Sequence, residues 1–251
     1  ASRLYYFDIN SAYPSGMTEL MPYKYQQTCK RQETKMTFEE IVDYHLYYIR
    51  SEYVGTDKNF IPNLLCRTES KNIIATKNIE YSWHWGNELK EAILNKCDIY
   101  NTIVVKYEGR KVFEKFSNYY YAERLSVKKT NLALSAFYKS VLNSQYGKYG
   151  QKQFNKSAIV KTNSDLKKIL KNDITKLVSY EHINDFMIIE YKEEGQEYNS
   201  IGQLARFSSY IASTSRCKLS ELMRDVGHEN VYYCDTDSVF TSKIPHSRFL
   251  D

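Results

Sequence analysis

The sequence predicts an α+β fold in which helices pack on an antiparallel sheet. Short runs rich in Tyr, Ile and Val recur between turn residues, which is typical of strands. Two longer stretches, residues 130–146 and 203–226, carry apolar residues at helical spacing. With 251 residues, 42% of them hydrophobic, the chain can bury a substantial core.

The first predicted element is a buried strand over residues 4–9, an apolar run that contains Asp8. Because Pro14 disfavours helical backbone at Tyr13, we expect a turn there. An acid at the end of a strand is well placed for a site, although a lone Asp is more often a cap satisfied by backbone amides.

Short helices and short strands are predicted for the next part of the chain. Thr37 and Glu40 have the spacing of a capping box, which predicts a short helix to about Asp43. Residues 88–94 form a second predicted helix. The predicted strands are residues 46–54, 73–76, 99–106 and 112–116, of which the last two flank a hairpin turn at 107–110.

Residues 130–146 predict a helix with a polar stripe, which Gly147 is expected to end. Lys139, Asn143 and Tyr146 share one face at i, i+4 and i+7, although such a stripe is more often simply solvated. The expected apolar face consists of Leu132, Leu134, Phe137, Val141 and Leu142.

The remaining chain predicts an insertion followed by a long helix. Residues 152–200 are polar and lysine-rich, with strands expected at 159–160, 177–178 and 187–189. The helix over 203–226 is expected to end at Gly227. Its expected inner face consists of Leu204, Phe207, Ile211, Leu222 and Val226.

Two carboxylates, Asp235 and Asp237, are expected at the tip of a hairpin after that helix. Residues two apart can point the same way in an extended or tightly turned segment. Neighbouring carboxylates raise each other's pKa unless a cation neutralises them. Hard oxygen ligands of this kind suit Mg²⁺ or Mn²⁺.

Composition sets broad limits on function. The net charge of +5 is compatible with a nucleic-acid partner and equally with an ordinary solvated surface. The 24 tyrosines suit a base-stacking surface, but the composition of an AT-rich genome explains them as well. Five scattered cysteines without CxxC spacing argue against zinc and for reduced thiols in an intracellular compartment. We expect no membrane partner, because no apolar run approaches roughly 18 residues, and we see no signal peptide.

Three segments resemble, in order, the polymerase motifs of family B DNA polymerases. Residues 8–14, DINSAYP, resemble the first motif, D-x-x-S-L-Y-P, with Ala12 in the usual Leu position. Residues 139–147, KSVLNSQYG, match K-x-x-x-N-S-x-Y-G, and residues 233–238, YCDTDS, match Y-x-D-T-D-S. The spacing between motifs leaves room for the two insertions of the protein-primed type, found in phages, linear plasmids and organelles.

The resemblance implies a template-directed DNA polymerase that uses two Mg²⁺ ions, with Mn²⁺ as an alternative. The implied metal ligands are the side chains of Asp8, Asp235 and Asp237 and the backbone carbonyl of Ile9. Of the three carboxylates, Asp8 and Asp237 are expected to bridge both ions, and Asp235 is expected to ligate one ion or to hold the geometry.

The same resemblance implies how the nucleotide is held. Lys139 would bind the triphosphate, with Arg124, Lys128 or Lys129 as a second cation. Tyr13 would lie under the deoxyribose and exclude a 2′-OH. The backbone amides of Asn10, Ser11, Ala12 and Tyr13 would cradle phosphate oxygens, and Asn143, Ser144, Tyr146 and Gly147 would line the nascent base pair and template.

The implied architecture is an antiparallel palm with helical fingers and inserted priming subdomains, as part of a longer enzyme. The expected parts are palm at 1–36, palm with a first insertion at 37–117, a fingers helix at 118–150, a second insertion at 151–200 and palm at 201–251. The implied partners are dNTP, DNA primer-template and, as a possible primer, a terminal protein. Mitochondrial, plasmid-borne cytoplasmic and viral settings all stay open.

Two other interpretations stay open from the sequence. A DxD-type glycosyltransferase also uses Asp-x-Asp with Mn²⁺, but it leaves the polar helix stripe unexplained. A polymerase-derived module that only binds DNA or protein is the second alternative, which three intact carboxylates argue against.

Overall fold

A computed structural model describes residues 3–56, 58–70, 72–150, 156–170, 175–193 and 204–246. The chain divides into two compact units, one of residues 1–146 with 207–251 and one of residues 147–206. Helices and antiparallel sheets are both present, which confirms the predicted α+β class.

The described residues of the first unit form three sheets. Its first strands are β1 (Tyr5–Asp8), β2 (Met21–Lys35), β3 (Leu46–Tyr53), β4 (Leu65–Arg67) and β5 (Ile73–Ala75). The others are β6 (Asn78–Trp85), β7 (Cys97–Arg110), β11 (Val231–Asp235) and β12 (Ser238–Thr241). All pairs are antiparallel, in the orders β1-β12-β11, β2-β7-β3-β6 and β4-β5.

The helices of this unit differ widely in length. A five-residue helix, α1 (Ala12–Gly16), follows β1, and α2 (Gly86–Leu94) follows β6. Then come α3 (Glu114–Val127) and α4 (Leu132–Gly150), which runs on into the second unit. The longest is α6 (Ala205–Val226), whose first two residues belong to the second unit.

The main core lies between the four-stranded sheet and α2. In β3, Tyr47, Ile49 and Tyr53 point inward with the period of two expected of a strand with one buried face. Leu89 and Ala92 of α2 pack against them. A second core joins α6 to the acidic hairpin, where Leu219, Leu222, Met223 and Val239 are buried together with Phe7, Ile9, Ile61, Val231 and Cys234 at its margin.

The second unit contains β8 (Lys156–Val160), α5 (Asn163–Ile169), β9 (Thr175–Ile183) and β10 (Phe186–Glu193). The strands form an antiparallel sheet in the order β8-β10-β9. The three strands predicted in this insertion are therefore confirmed. The predicted residues 152–155, 171–174 and 194–200 of the insertion, and Gln203 of the long helix, lie outside the described residues.

The prediction of a buried opening strand was wrong, and so was the prediction of a turn at Tyr13. Leu4 and Tyr6 are more than half exposed, because β1 is an edge strand with one solvated face. Tyr13 and Pro14 both lie in α1, because proline is tolerated in the first turn of a helix, where its missing N–H has no partner to lose.

The short helix predicted from Thr37 to Asp43 is a series of turns. Half of the capping box exists, since the backbone N–H of Thr37 donates to the Glu40 carboxylate over 3.0 Å. The chain then turns away, because Ile41 is buried in the main core and the Val42 N–H donates to the Tyr47 hydroxyl over 3.0 Å.

No hairpin turn forms at residues 107–110, which continue β7, and residues 114–116 open α3 instead of a strand. Because residues 107–110 of β7 pair with residues 21–25 of β2, β7 stays extended through Gly109. The missed strand β2 is an edge strand whose polar sequence lacks an apolar alternation.

The expected end of the long polar helix was also wrong, and of its expected apolar face only Leu142 is buried. Helix α4 continues past Gly147 to Gly150, and Leu132 and Phe137 are largely exposed. Ser135 and Leu142, two turns apart, are the buried residues of α4, so the helix buries a narrow line rather than a face. Gly227 does end α6, with a φ of 86° that favours glycine.

Candidate functional site

The tip of the hairpin between β11 and β12 carries Asp235 and Asp237, as the sequence predicts. Thr236 adopts a left-handed backbone with φ 50°, which makes the two-residue turn tight. The N–H of Ile9 donates to the carbonyl of Asp237 over 2.7 Å, so the end of β1 is fastened to this turn. The first and third motifs therefore meet at one edge of the three-stranded sheet.

The three carboxylates of this edge are not equally close. Asp8 and Asp235 are both paired with Ser238, from the two strands that flank β12. Since adjacent strands lie about 4.8 Å apart, the Cα atoms of Asp8 and Asp235 are separated by about 10 Å. Among the described residues, no three His, Cys, Asp or Glu side chains lie close enough together to hold one metal ion.

The pKa of Asp237 depends on both other carboxylates and on Lys139. Partial burial raises its pKa above the ordinary range, and the nearby charges of Asp8 and Asp235 raise the pKa further. The cation of Lys139 opposes this effect and lowers the pKa of Asp237. The Tyr6 hydroxyl donates to Asp8 over 3.3 Å, and the Thr236 hydroxyl donates to Asp235 over 2.9 Å.

These carboxylates have the chemistry of a divalent-cation site. Crowded like charges with a raised pKa are what a hard cation relieves, and carboxylate oxygens are the ligands that Mg²⁺ and Mn²⁺ prefer. The pair formed by Asp8 and Asp237 fits such an ion better than a triad with Asp235, which lies across the width of β12.

The segment from Asn10 to Tyr13 turns sharply into α1. Ser11 has a left-handed backbone, with φ 52° and ψ 48°, and stands at the N-cap of α1. The guanidinium of Arg124 donates to the Ser11 hydroxyl over 3.2 Å. Lys128 lies exposed at the C-cap of α3, so Arg124 is the basic residue of α3 that reaches this turn.

Tyr13 and Tyr146 stack face to face, with ring centroids 4.0 Å apart and an interplanar angle of 14°. Burial raises the pKa of the Tyr13 phenol, and so do its hydrogen bond with Tyr146 and the charge of Asp237. Tyr13 therefore interacts with residues of both other motifs.

The remaining residues of the α4 stripe are solvent-exposed. Lys139, Asn143 and Ser144 all have exposed side chains, and the Ser144 hydroxyl donates to the Val141 carbonyl over 3.2 Å in its own helix. Gly147 is exposed as well and belongs to the second unit. Nothing within 4 Å would obstruct a Cβ at Gly147.

Comparison with known proteins decides the family. A family model described as DNA polymerase type B, organellar and viral, matches residues 1–228. The chain belongs to this family. The resemblance that the three motifs predicted is thereby confirmed, and the glycosyltransferase interpretation is excluded. No curated protein sequence matches the chain significantly.

The fold is similar to that of Phi29 DNA polymerase in solved structures. The structure with primer-template DNA and incoming nucleotide substrates matches with a TM-score of 0.62 and 18% identity over 98% of this chain. The binary complex with primer-template DNA matches with a TM-score of 0.61 and 19% identity, also over 98% of this chain. In each case the match covers 40% of the Phi29 chain, so this polymerase chain spans about two fifths of the length of those structures.

Sequence reasoning missed two contacts that connect α6 to α2 and to α1. Glu88 in α2 and Arg216 in α6 form an ion pair with an N–O distance of 2.6 Å, and the Lys218 ammonium donates to the Ser15 hydroxyl. A single Arg inside an amphipathic helix is ordinary in a sequence. Only long-range pairing of α2 with α6 distinguishes it, and no local spacing could have revealed that pairing.

All five cysteines are free thiols, as expected. Within the described ranges, no helix is long and apolar enough to cross a membrane.

Proposed function

We propose that this chain carries the nucleotide-transfer site of a template-directed DNA polymerase. The observation that carries the proposal is the convergence on Asp237, whose carboxylate interacts with Asp8, Lys139 and Tyr13. These residues come from all three motifs, and each has a different part in handling a nucleoside triphosphate. Family membership and the Phi29-like fold support the same reaction class.

Transfer of dNMP requires a hydroxyl to attack the α-phosphate while pyrophosphate leaves. Asp8 and Asp237, with the backbone carbonyl of Ile9, would hold two divalent ions, Mg²⁺ or Mn²⁺. When bound, such ions would favour deprotonation of the attacking hydroxyl and stabilise the negative charge on the leaving pyrophosphate. Asp235 would orient the turn through its bond with Thr236 and ligate at most one ion.

The chain's own residues would bind and orient the triphosphate. Lys139 places a cation on the exposed face of α4, and Arg124 places a second one at the Ser11 turn. The backbone amides of residues 10–13 lie at the start of α1, where N–H groups lack helical partners and suit phosphate oxygens.

The stacked tyrosines would select the sugar and the base pair. The Tyr13 ring would lie under the deoxyribose, so a 2′-OH would clash with it. Tyr146, Asn143, Ser144 and Gly147 would line the nascent base pair and the template.

The proposed partners follow from this chemistry. They are dNTP and a DNA primer-template, in the replication of a linear genome or plasmid. The resemblance to protein-primed enzymes extends the proposal to a terminal-protein hydroxyl as acceptor. Transfer of a labelled dNMP to a protein rather than to DNA would identify that second acceptor.

The proposed architecture keeps the parts expected from the sequence. Palm segments at 1–36 and 201–251 would flank a first insertion within 37–117, a fingers helix within 118–150 and a second insertion at 151–200.

Primer extension by the wild-type chain and by Asp237→Asn tests the function. We expect dNTP- and template-dependent extension with Mg²⁺ or Mn²⁺ that Asp237→Asn abolishes. Asp98→Asn, a surface acid paired with Lys35 in the four-stranded sheet, is the charge-matched control and should extend normally. Extension that survives Asp237→Asn would refute the catalytic assignment, and a wild-type chain that binds DNA without extending it would favour the binding-module alternative.

Metal binding has a readout that is independent of extension. Mg²⁺ that binds only the folded state should raise the unfolding temperature of the wild-type chain in a concentration-dependent manner. The effect should be lost in Asp8→Asn and Asp237→Asn and retained in Asp98→Asn. Equal stabilisation of all four proteins would place the bound ions elsewhere.

A further inference from the structure

Three aromatic side chains lie together on the solvent side of the four-stranded sheet. Tyr48 in β3 contacts both Tyr81 and Trp83 of β6, with ring centroids 5.4 and 5.0 Å away. Tyr81 and Trp83 are 46% and 44% exposed, and β6 is an edge strand, so the cluster is open to solvent. We refer to Tyr48, Tyr81 and Trp83 as the aromatic face.

The strand register fixes which side chains share this side of the sheet. Tyr48 is paired with Trp83 and, on its other side, with Ile103 of β7, which is paired in turn with Lys30 of β2. Directly paired residues of antiparallel strands lie on the same side. One row across all four strands therefore consists of Lys30, Ile103, Tyr48 and Trp83. Tyr47 lies on the opposite side and is buried in the main core, so that core does not use the aromatic face.

Polar contacts surround the aromatic face and restrain it. Glu33 accepts hydrogen bonds from Arg50 and from the Tyr81 hydroxyl, over 3.1 and 2.9 Å. The Arg50 guanidinium lies 4.2 Å from the centre of the Tyr100 ring, with which it is paired in the sheet. Lys30 adds an exposed cation in the row of Tyr48. These contacts hold Arg50 and Tyr81 in place without covering the aromatic rings.

Such a face fits unpaired bases better than a duplex or a protein. Bases stack on aromatic side chains when a single strand exposes them, whereas in a duplex neighbouring base pairs cover their faces. A protein partner would bury the rings in an interface core with few charges, but Lys30, Glu33 and Arg50 adjoin them here. Because the chain belongs to a DNA polymerase family, DNA is the nucleic acid to expect.

We propose that the aromatic face binds single-stranded DNA by stacking bases on Trp83 and Tyr81, with Lys30 contacting a phosphate. The site lies on a different sheet from Asp8 and Asp237 and needs no divalent ion. It goes beyond the proposed function, because it holds unpaired template or a displaced strand rather than the reacting nucleotide. Stacking supplies most of the affinity.

The two tryptophans of the chain provide a local signal for this site. Trp85 is only 4% exposed, so Trp83 is the one that a base can reach. An oligothymidylate of about 12 nucleotides, added in EDTA, should quench the tryptophan fluorescence of the wild type. Trp83→Phe keeps a ring, so it should bind with at most about a threefold loss while the quenching disappears. A wild-type chain that shows no quenching would overturn the proposal.

Trp83→Leu separates stacking from apolar contact. Leucine is apolar but has no aromatic ring, so the Kd of a labelled oligothymidylate, measured by fluorescence anisotropy, should rise about tenfold. Ile73→Ala, at an exposed position of β5 in another sheet, should leave the Kd unchanged. Wild-type affinity in Trp83→Leu, which an apolar protein contact would tolerate, would refute base stacking. Tyr81→Leu should weaken binding similarly and serves if Trp83→Leu does not fold.

Lys30→Gln tests the phosphate contact. Each phosphate neutralised on a single strand contributes about 0.7 to the slope of log Kd against log salt concentration. We expect Lys30→Gln to lower this slope by about that amount and to weaken binding less than Trp83→Leu does. A slope equal to that of the wild type would remove Lys30 from the site.

Forked substrates identify the strand that binds. Each carries a single-stranded tail of about 12 nucleotides ahead of the primer, on the template in one case and on the displaced strand in the other. Quenching of Trp83 by either tail supports the proposal and identifies the strand. Equal quenching by a blunt duplex without tails would contradict it.

Asp237→Asn separates this proposal from the proposed function. Its fluorescence should be quenched as in the wild type, because no residue of the three motifs belongs to the aromatic face. A chain that shows the quenching but extends no primer would count against the proposed function alone. A chain that extends primers, yet binds the oligothymidylate equally well with Trp83→Leu and with Tyr81→Leu, would overturn this proposal alone.

Discussion

The Tyr13 ring lies face to face with the Tyr146 ring at a centroid distance of 4.0 Å, which joins α1 to α4. The two residues belong to the first and second polymerase motifs, so this contact brings the proposed sugar-binding and template-binding groups together. Aromatic pairs of this kind contribute about 0.5–1.5 kcal/mol beyond burial of their area. This contact holds the Tyr13 ring in one orientation.

Replacing Tyr13 with a smaller residue should weaken sugar selection. We expect Tyr13→Val to raise the use of rNTP relative to dNTP about tenfold or more, because a pocket that no longer clashes with the 2′-OH loses its discrimination. Competition between labelled nucleotides in primer extension measures the ratio. Tyr121→Val, at an exposed position of α3, is the control. An unchanged ratio in Tyr13→Val would remove Tyr13 from the gating role.

The raised pKa of Asp237 has a consequence for stability. A carboxyl whose pKa is higher in the folded than in the unfolded state favours folding when protonated, and this contribution is lost as the pH rises from the ordinary value of 3.8 through the folded-state pKa. At pH 7 the ionised carboxylate therefore costs stability in the absence of divalent ions.

We expect Asp237→Asn, in EDTA, to unfold at a slightly higher temperature than the wild type at pH 7 and at the same temperature below about pH 3.5. Thermal unfolding monitored by circular dichroism across this pH range measures the difference. Asp98→Asn, which removes an exposed ion pair with Lys35, should show no such gain at pH 7. A lower midpoint for Asp237→Asn at pH 7 would contradict the charge crowding around Asp237.

The contact between Arg124 and Ser11 predicts which second cation serves the triphosphate. We expect Arg124→Met to weaken dNTP binding about tenfold, because a hydrogen bond to a charged group contributes about 1.5–3 kcal/mol. Lys128→Met, four residues on in the same segment, should have a much smaller effect. Equilibrium binding of dNTP in Mg²⁺ measures both, and a larger loss in Lys128→Met would reverse the assignment.

Gly86 occupies a position where no side chain fits. A Cβ there would lie 2.0 Å from the carbonyl oxygen of Val42, and the Gly86 N–H donates to the His45 carbonyl over 2.9 Å. We expect Gly86→Ala to lower the free energy of unfolding by about 2 kcal/mol or more, because backbone must move. Gly147→Ala, in the interior of α4 with open space around it, should be neutral or raise it by about 0.5–1 kcal/mol. Urea unfolding of both variants checks the contrast.

Elements with a strong local pattern were predictable from the sequence. The long helix α6 and its end at Gly227 follow from apolar residues at helical spacing and a glycine at positive φ. The acidic hairpin follows from two β-prone runs around a tight turn. In each case the determining interactions are between residues close together in the chain.

Elements decided by distant partners were not predictable. The polar strand β2 has no alternation of its own and is extended because β7 pairs with it along its length. Residues 37–43 have a capping-box spacing, yet they form turns rather than a helix. Burial of Ile41 in the main core outweighs the local helix preference. Gly109 is a typical turn residue but lies inside β7, where it pairs with Pro22 of β2.

The sequence by itself determined the polymerase family and the three motifs of the proposed site, because each motif consists of neighbours in the chain. The tertiary structure alone decided that Asp8 and Asp237 approach each other while Asp235 lies across β12, and that Arg124 rather than Lys128 reaches Ser11. It also decided that Arg216 pairs with Glu88, which joins α6 to α2. These relationships depend on strand register and on helix packing between segments far apart in sequence, which no local pattern encodes.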